Sequence, residues 1–167
     1  MYDTMYGTNS SGTVYSCYTI AKSGCALTSF AMYLSKLGKT QTPGQVNAKF
    51  GNFACSFNAS FAANRYEIDY QIVYTNGGTN GLKMSGYWPI IKGIVLSGKT
   101  AIIGMINWDT MKGHFVLVKG YYEFDDPSFN YIKIFNTNIT SVNFTLGQYT
   151  EDSNNNWAVT RIYTFSN

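Results

Sequence analysis

The stretch from residue 100 onward most constrains the fold. Four runs there, TAIIGMIN (100–107), HFVLVKGYY (114–122), YIKIFN (131–136) and WAVTRIYTF (157–165), are rich in β-branched and aromatic residues and bounded by turn residues. That is the pattern of strands in a packed sheet. Upstream the period changes. In SGCALTSFAMYLSKLG (23–38), Leu27, Phe30, Ala31 and Leu34 fall on one helical face, with Ser23 as N-cap and Gly38 as stop. TPGQVNAKFG (42–51) predicts a second helix, capped by Thr42, opened by Pro43 and closed by Gly51. WPIIKGIVLSG (88–98) predicts a third, with Pro89 near its start and Gly98 at its end. YEIDYQIVYT (66–75) reads as a strand and NGGTNG (76–81) as a loop, while residues 53–64 show no assignable pattern. The first twenty residues lack helical period and read as a loop or edge strand packed by its tyrosines. Helices first and strands afterwards give an α+β fold with a mainly antiparallel sheet.

A length of 167 residues is that of one domain, spanning 1–167, with a core that needs no metal or disulfide. Only 13% of residues are charged while 45% are apolar and 17% aromatic, which excludes a disordered chain. The net charge of +3 comes without a Lys/Arg run, so no nucleic-acid partner is expected. No segment has the ~20 apolar residues of a membrane span, and the start shows neither a basic region nor an apolar core of a signal peptide. The chain has one histidine, His114, which excludes a multi-histidine metal site; no cofactor is implied. Four N-x-S/T sites, at Asn9, Asn58, Asn138 and Asn143, are what an Asn- and Thr-rich chain produces by chance.

Three cysteines, Cys17, Cys25 and Cys55, show no C-x-x-C spacing. Cys17 and Cys55 are open to a disulfide in an oxidising compartment, but two unpaired structural cysteines are the expected state in a chain of this size. Cys25 differs from them. It sits at the start of the first predicted helix, after Ser23-Gly24 and near Lys22, where unsatisfied amides and the helix dipole favour a thiolate and can face an oxyanion. His114 opens a predicted strand after Met111-Lys112-Gly113, a rigid mount for a general base. Of the groups that could orient it, Asn136 ends the following strand and in a hairpin lies at the same sheet edge as His114. Asn138 is the reserve, and Asp125-Asp126 falls at the far turn. Trp88, Trp108 and Trp157 read as core or cleft-wall residues, with Trp108 close enough in sequence to His114 to line a cleft.

The strings S-G-C-A-L-T-S-F-A-M-Y-L-S-K-L-G, T-P-x-x-V-N, S-G-K before a strand, and G-H-F-V-L-V-K-G-Y, in that order over roughly residues 20–140, resemble the bacteriocin-processing-like branch of papain-like cysteine peptidases. The resemblance implies a papain-like fold with N-terminal helices, the first carrying the cysteine, packed on the sheet. It implies a triad of Cys25, His114 and Asn136. Two positions depart from the family: F-N-T-N stands where an Asp-Pro pair is usual, and no Gln precedes Gln41 to act as oxyanion donor. Thr19 or Ser23 could supply that donor beside the Cys25 amide.

The implied activity is a cysteine peptidase or amidase. Members of the family include leader-peptide proteases fused to transporters and wall-cleaving domains of phage lysins and tail proteins. A surface rich in Tyr, Asn and Gly and poor in charge points to the latter, acting on peptidoglycan peptides, with other virion proteins as further partners. The expected location is extracellular or virion-associated, without a cleavable signal peptide. Two other functions use the same residues: a catalytically weak papain-like module that binds wall or protein, and a deamidase or transamidase built on the Cys-His pair.

Overall fold

The computed structural model describes residues 4–55, 57–76, 81–123, 131–136, 145–150 and 156–167. Its contacts divide the chain into two compact units, residues 1–70 with 165–167, and residues 71–164.

The first unit opens with a hairpin of β1 (Thr4–Thr8) and β2 (Val14–Thr19), paired antiparallel through Tyr6↔Ser16 and Gly7↔Tyr15. Asn9 closes it, its side-chain oxygen accepting from the backbone of Ser11 and Thr13. Tyr6, Tyr15 and Tyr18 keep 43–53% of their surface exposed, so the segment is packed by its tyrosines only in part, Tyr15 reaching over Gly7. A one-turn helix α1 (Ile20–Ser23) follows and leads through Gly24 into α2 (Cys25–Lys36). The predicted face of α2 is buried at Leu27, Phe30, Ala31 and Leu34. At its end Gly38, with φ +76°, lets Lys39 N–H reach the Leu34 carbonyl and Gly38 N–H reach that of Ser35. This is the left-handed stop that glycine makes without a Cβ penalty.

Next, α3 (Pro43–Phe50) has the predicted cap, Thr42, which accepts from Gln45 N–H, and adds to it the Gln45 side chain, which accepts from Thr42 N–H. Such a reciprocal box contributes about 1 kcal/mol. A 3₁₀ turn, Gly51–Phe53, leads on toward α4 (Ala59–Tyr66), which the sequence did not reveal. Asn58 caps α4 by accepting from Phe61 N–H, which gives that N-x-S/T asparagine a structural role. The core of the unit is aromatic. Phe30 contacts Phe50, Phe57, Tyr66 and Phe165 with ring centres 5.1–6.1 Å apart. The Tyr33 hydroxyl donates to Phe165 C=O and accepts from Phe165 N–H, both at 2.9 Å.

A disulfide joins Cys17 of β2 to Cys55, with Cα atoms 5.9 Å apart. This overturns the expectation of unpaired thiols. The reason is tertiary: Cys55 N–H bonds to the Tyr6 carbonyl of β1, which sets Cys55 beside the hairpin that carries Cys17.

The second unit is built on a five-stranded sheet of order β3-β7-β4-β5-β6. Its strands are β3 (Asp69–Thr75), β4 (Ile102–Asn107), β5 (Lys112–Tyr122), β6 (Tyr131–Asn136) and β7 (Trp157–Ser166), and the β4–β5, β4–β7 and β5–β6 pairs are antiparallel. The α+β class with antiparallel sheets is as expected. Between β3 and β4 runs α5 (Met84–Leu96), which begins earlier than its sequence signal, so that Pro89 lies inside the helix. Tyr87, Ile91 and Ile94 of α5 join one sheet face formed by Ile103, Met105, Val116, Val118, Ile132, Ile134 and Val159 in a continuous core. A short α6 (Gly147–Thr150) adds the Thr150 hydroxyl, 2.9 Å from that of Tyr87.

Candidate functional site

Cys25 is the first residue of α2, partly exposed, and the one cysteine outside the disulfide. Its surroundings differ from the expected clean helix start. Ser23 is not the N-cap; it ends α1, and Gly24 occupies the cap position with no side-chain bond. Gly24 N–H donates to the Ile20 carbonyl at 2.7 Å and is therefore already used. Glycine is required here by the chain itself: a Cβ would meet the Ile20 oxygen at 2.5 Å and the Ile20 Cα at 2.7 Å. Gly24→Ala should thus cost about 1–3 kcal/mol, because rigid backbone must move. Thermal unfolding checks this, and a melting temperature equal to wild type would contradict it.

The other predicted donors are placed as follows. Thr19 is the N-cap of α1 without a side-chain cap bond, in the β1–β2 ladder opposite Thr4. The Ser23 side chain lies outside the described parts. The Lys22 ammonium stands 4.7 Å from the centre of the Tyr18 ring, a cation–π contact that holds it on its own segment.

His114 belongs to the second unit. It is the third residue of β5, not its first, because Lys112 and Gly113 already pair with β4. A four-residue turn after Asn107 makes this hairpin, with Asn107 Oδ1 accepting from Asp109 N–H, Thr110 N–H and the Thr110 hydroxyl. His114 sits opposite Met105 and, with Val116 and Val118, follows the alternation that faces α5. It is only 5% exposed, and its ring meets that of Trp157 edge-on with centres 6.4 Å apart. Trp157, rather than Trp108, is the indole at the imidazole; its signal was its place at the head of the last strand, which meets β4 opposite Asn107.

Asn136 ends β6 and pairs with Val116, two residues from His114. The two positions are diagonal neighbours on adjacent strands, a separation of about 7–8 Å between Cα atoms in such ladders. Asn138 and Asp125-Asp126 lie outside the described residues. The structure therefore brings His114 and Asn136 onto neighbouring strands of one unit, while Cys25 belongs to the other unit.

No protein-family model, curated protein or solved structure matches this chain. Among the described residues no group of three or more His, Cys, Asp or Glu is placed to hold a metal ion, and no helix is long and apolar enough to cross a membrane.

A feature that sequence reasoning missed lies in the first unit. Tyr15, Phe53, Phe57 and Phe61 line a pocket of about 440 Å³ together with Asn52, Asn58, Gly7 and Thr8. Its aromatic residues fell in the two segments that gave no periodic signal, the N-terminal twenty residues and 53–64, so the one available clue was their density in aromatics.

Proposed function

We propose that the chain is a papain-like cysteine peptidase or amidase that cleaves peptide bonds of bacterial cell-wall peptidoglycan, in the manner of a phage-borne wall hydrolase. One observation carries the reading: the disulfide takes Cys17 and Cys55, so the cysteine left for chemistry is the one at the head of a helix, in a chain with a single histidine. A disulfide also supports an extracellular or virion-exposed location, since such bonds persist in oxidising surroundings.

In the proposed reaction Cys25 rests as a thiolate with its proton on the His114 imidazole, and the sulfur attacks a peptide carbonyl. The tetrahedral oxyanion is held by backbone amides of the first turn of α2, with Thr19 or Ser23 as further donors. Collapse breaks the C–N bond, and the leaving amine takes the proton from His114, giving a thioester. His114 then deprotonates water, which attacks the thioester; the C–S bond breaks, the carboxyl product leaves, and Cys25 returns as the thiolate beside the protonated imidazole. Asn136 holds the imidazole in its working tautomer. The contact of His114 with Trp157 supports this use, because a ring held by a neighbour and largely shielded from solvent keeps its orientation between steps.

The test incubates wild type and Cys25→Ala with purified peptidoglycan and maps the products. New amino groups from wild type alone support the reading. Ammonia without new amino groups would replace it with deamidation, and no product from either form would leave a binding module in its place.

A further inference from the structure

The pocket between the β1–β2 hairpin and the start of α4 is lined by neither Cys25 nor His114 and has its own chemistry. Its volume of about 440 Å³ lies in the small-ligand range of about 300–1,000 Å³. No charged side chain is among its lining residues, which argues against an ionic ligand. Two of its rings are largely exposed, Tyr15 at 43% and Phe53 at 53%. Both are nevertheless in contact with the unit. The phenol end of Tyr15 reaches over its strand partner Gly7, where an added Cβ would stand 2.7 Å from the Tyr15 ring and 3.0 Å from the Cys55 Cβ. The disulfide thus backs the same spot. Phe53 packs on Phe61 with ring centres 4.9 Å apart, and Phe61 in turn meets Phe50 edge-on at 5.2 Å.

Exposed rings gathered in one pocket mark a place where surface is covered on binding. The polar side chains that line it are neutral, while Arg65 lies over the Phe61 ring with its guanidinium carbon 5.5 Å from the ring centre. Asn58 uses its oxygen to cap α4, so the end it can offer a ligand is its NH₂. Asn52, on the same turn as Phe53, adds an exposed side-chain amide. Ring faces with a negative quadrupole attract the weakly positive C–H faces of a pyranose, and amides match its hydroxyls. An apolar side chain would leave these amides without partners.

We propose that this pocket binds a neutral saccharide, stacked on Tyr15 and Phe53 and hydrogen-bonded through Asn52 and Asn58. The inference goes beyond the hydrolytic reading and does not depend on it.

The test is titration of the full chain, disulfide intact, with an N-acetylglucosamine tetramer and with cellotetraose, followed by saturation-transfer NMR. A neutral tetrapeptide amide serves as the competing class. Binding of either saccharide is expected, weakened at least about tenfold by Tyr15→Ala and by Phe53→Ala. Tyr15→Phe, which keeps the ring, should bind within about twofold of wild type, and so should Cys25→Ala and Tyr122→Ala. Circular dichroism confirms that each variant is folded. If one alanine variant fails to fold, the other and the Tyr15→Phe comparison still decide. The proposal is overturned if neither saccharide binds, if the alanine variants bind like wild type, or if only the tetrapeptide saturates the pocket. Retained binding in Cys25→Ala keeps this result separate from any failure of hydrolysis.

Discussion

Replacing His114 with alanine is expected to lower hydrolysis of peptidoglycan peptides by at least about 10³-fold, as much as Cys25→Ala does. The magnitude follows from the composition. There is one histidine, so no second imidazole can take the proton from Cys25 or return it to the leaving amine. Residues that act as a unit are not additive, so the double variant should be no slower than either single one. His114 is buried and packed on Trp157, so its loss could also loosen the sheet end. His114→Gln, which preserves most of the volume, separates the two effects: it should stay folded by thermal unfolding and be equally inactive. A His114→Gln protein that retained more than about a tenth of wild-type activity would contradict the role given to the imidazole.

Breaking the Cys17–Cys55 disulfide should destabilise the first unit strongly. The bond closes a segment with a sequence separation of 38 residues, for which loop-closure entropy gives about 4 kcal/mol. In a chain of this size that corresponds to a fall in melting temperature of roughly 8–16 °C. The effect should appear equally in the Cys17→Ser/Cys55→Ser double variant and in wild type under reducing conditions. The bond also ties the hairpin to the segment just after the 3₁₀ turn, so saccharide binding should weaken along with stability. Identical melting curves with and without reductant would show that the hairpin is held by its other contacts, such as Asn47 Nδ2–H to the Thr4 carbonyl at 2.9 Å.

What could be read from the sequence were features with local causes. Thr42, Pro43 and Gly51 carry the boundaries of α3 within ten residues, and the structure uses all three. The β4 to β7 runs are legible because their residue types suit a pleated, buried surface wherever it lies. Features set by distant partners were not legible. Nothing near Cys17 announces Cys55, and nothing in β7 announces that it inserts between β3 and β4. α4 was hidden because its buried positions are mostly alanines, Ala59, Ala62 and Ala63, which give little hydrophobic contrast. α5 was read as starting late because Pro89, a good first-turn residue, here sits inside the helix. In the candidate site, Cys25 and His114 stood out by chemistry alone. The α1 turn before Cys25, the third-residue place of His114 in β5 and the diagonal offset of Asn136 all depend on exact strand and helix ends, which sequence leaves uncertain by several residues.

The reaction of Cys25 with iodoacetamide under non-reducing conditions tests the Cys25–His114 pairing most directly. Cys17 and Cys55 are blocked by their disulfide, so one site reports. At about pH 6.5 an ordinary cysteine is only about 1% thiolate, given its usual value near 8.5, whereas a thiol paired with an imidazolium is largely ionised. Wild type should therefore react at least about tenfold faster than His114→Ala and than a cysteine-containing peptide. Equal rates for all three would contradict the pairing and with it the proposed chemistry.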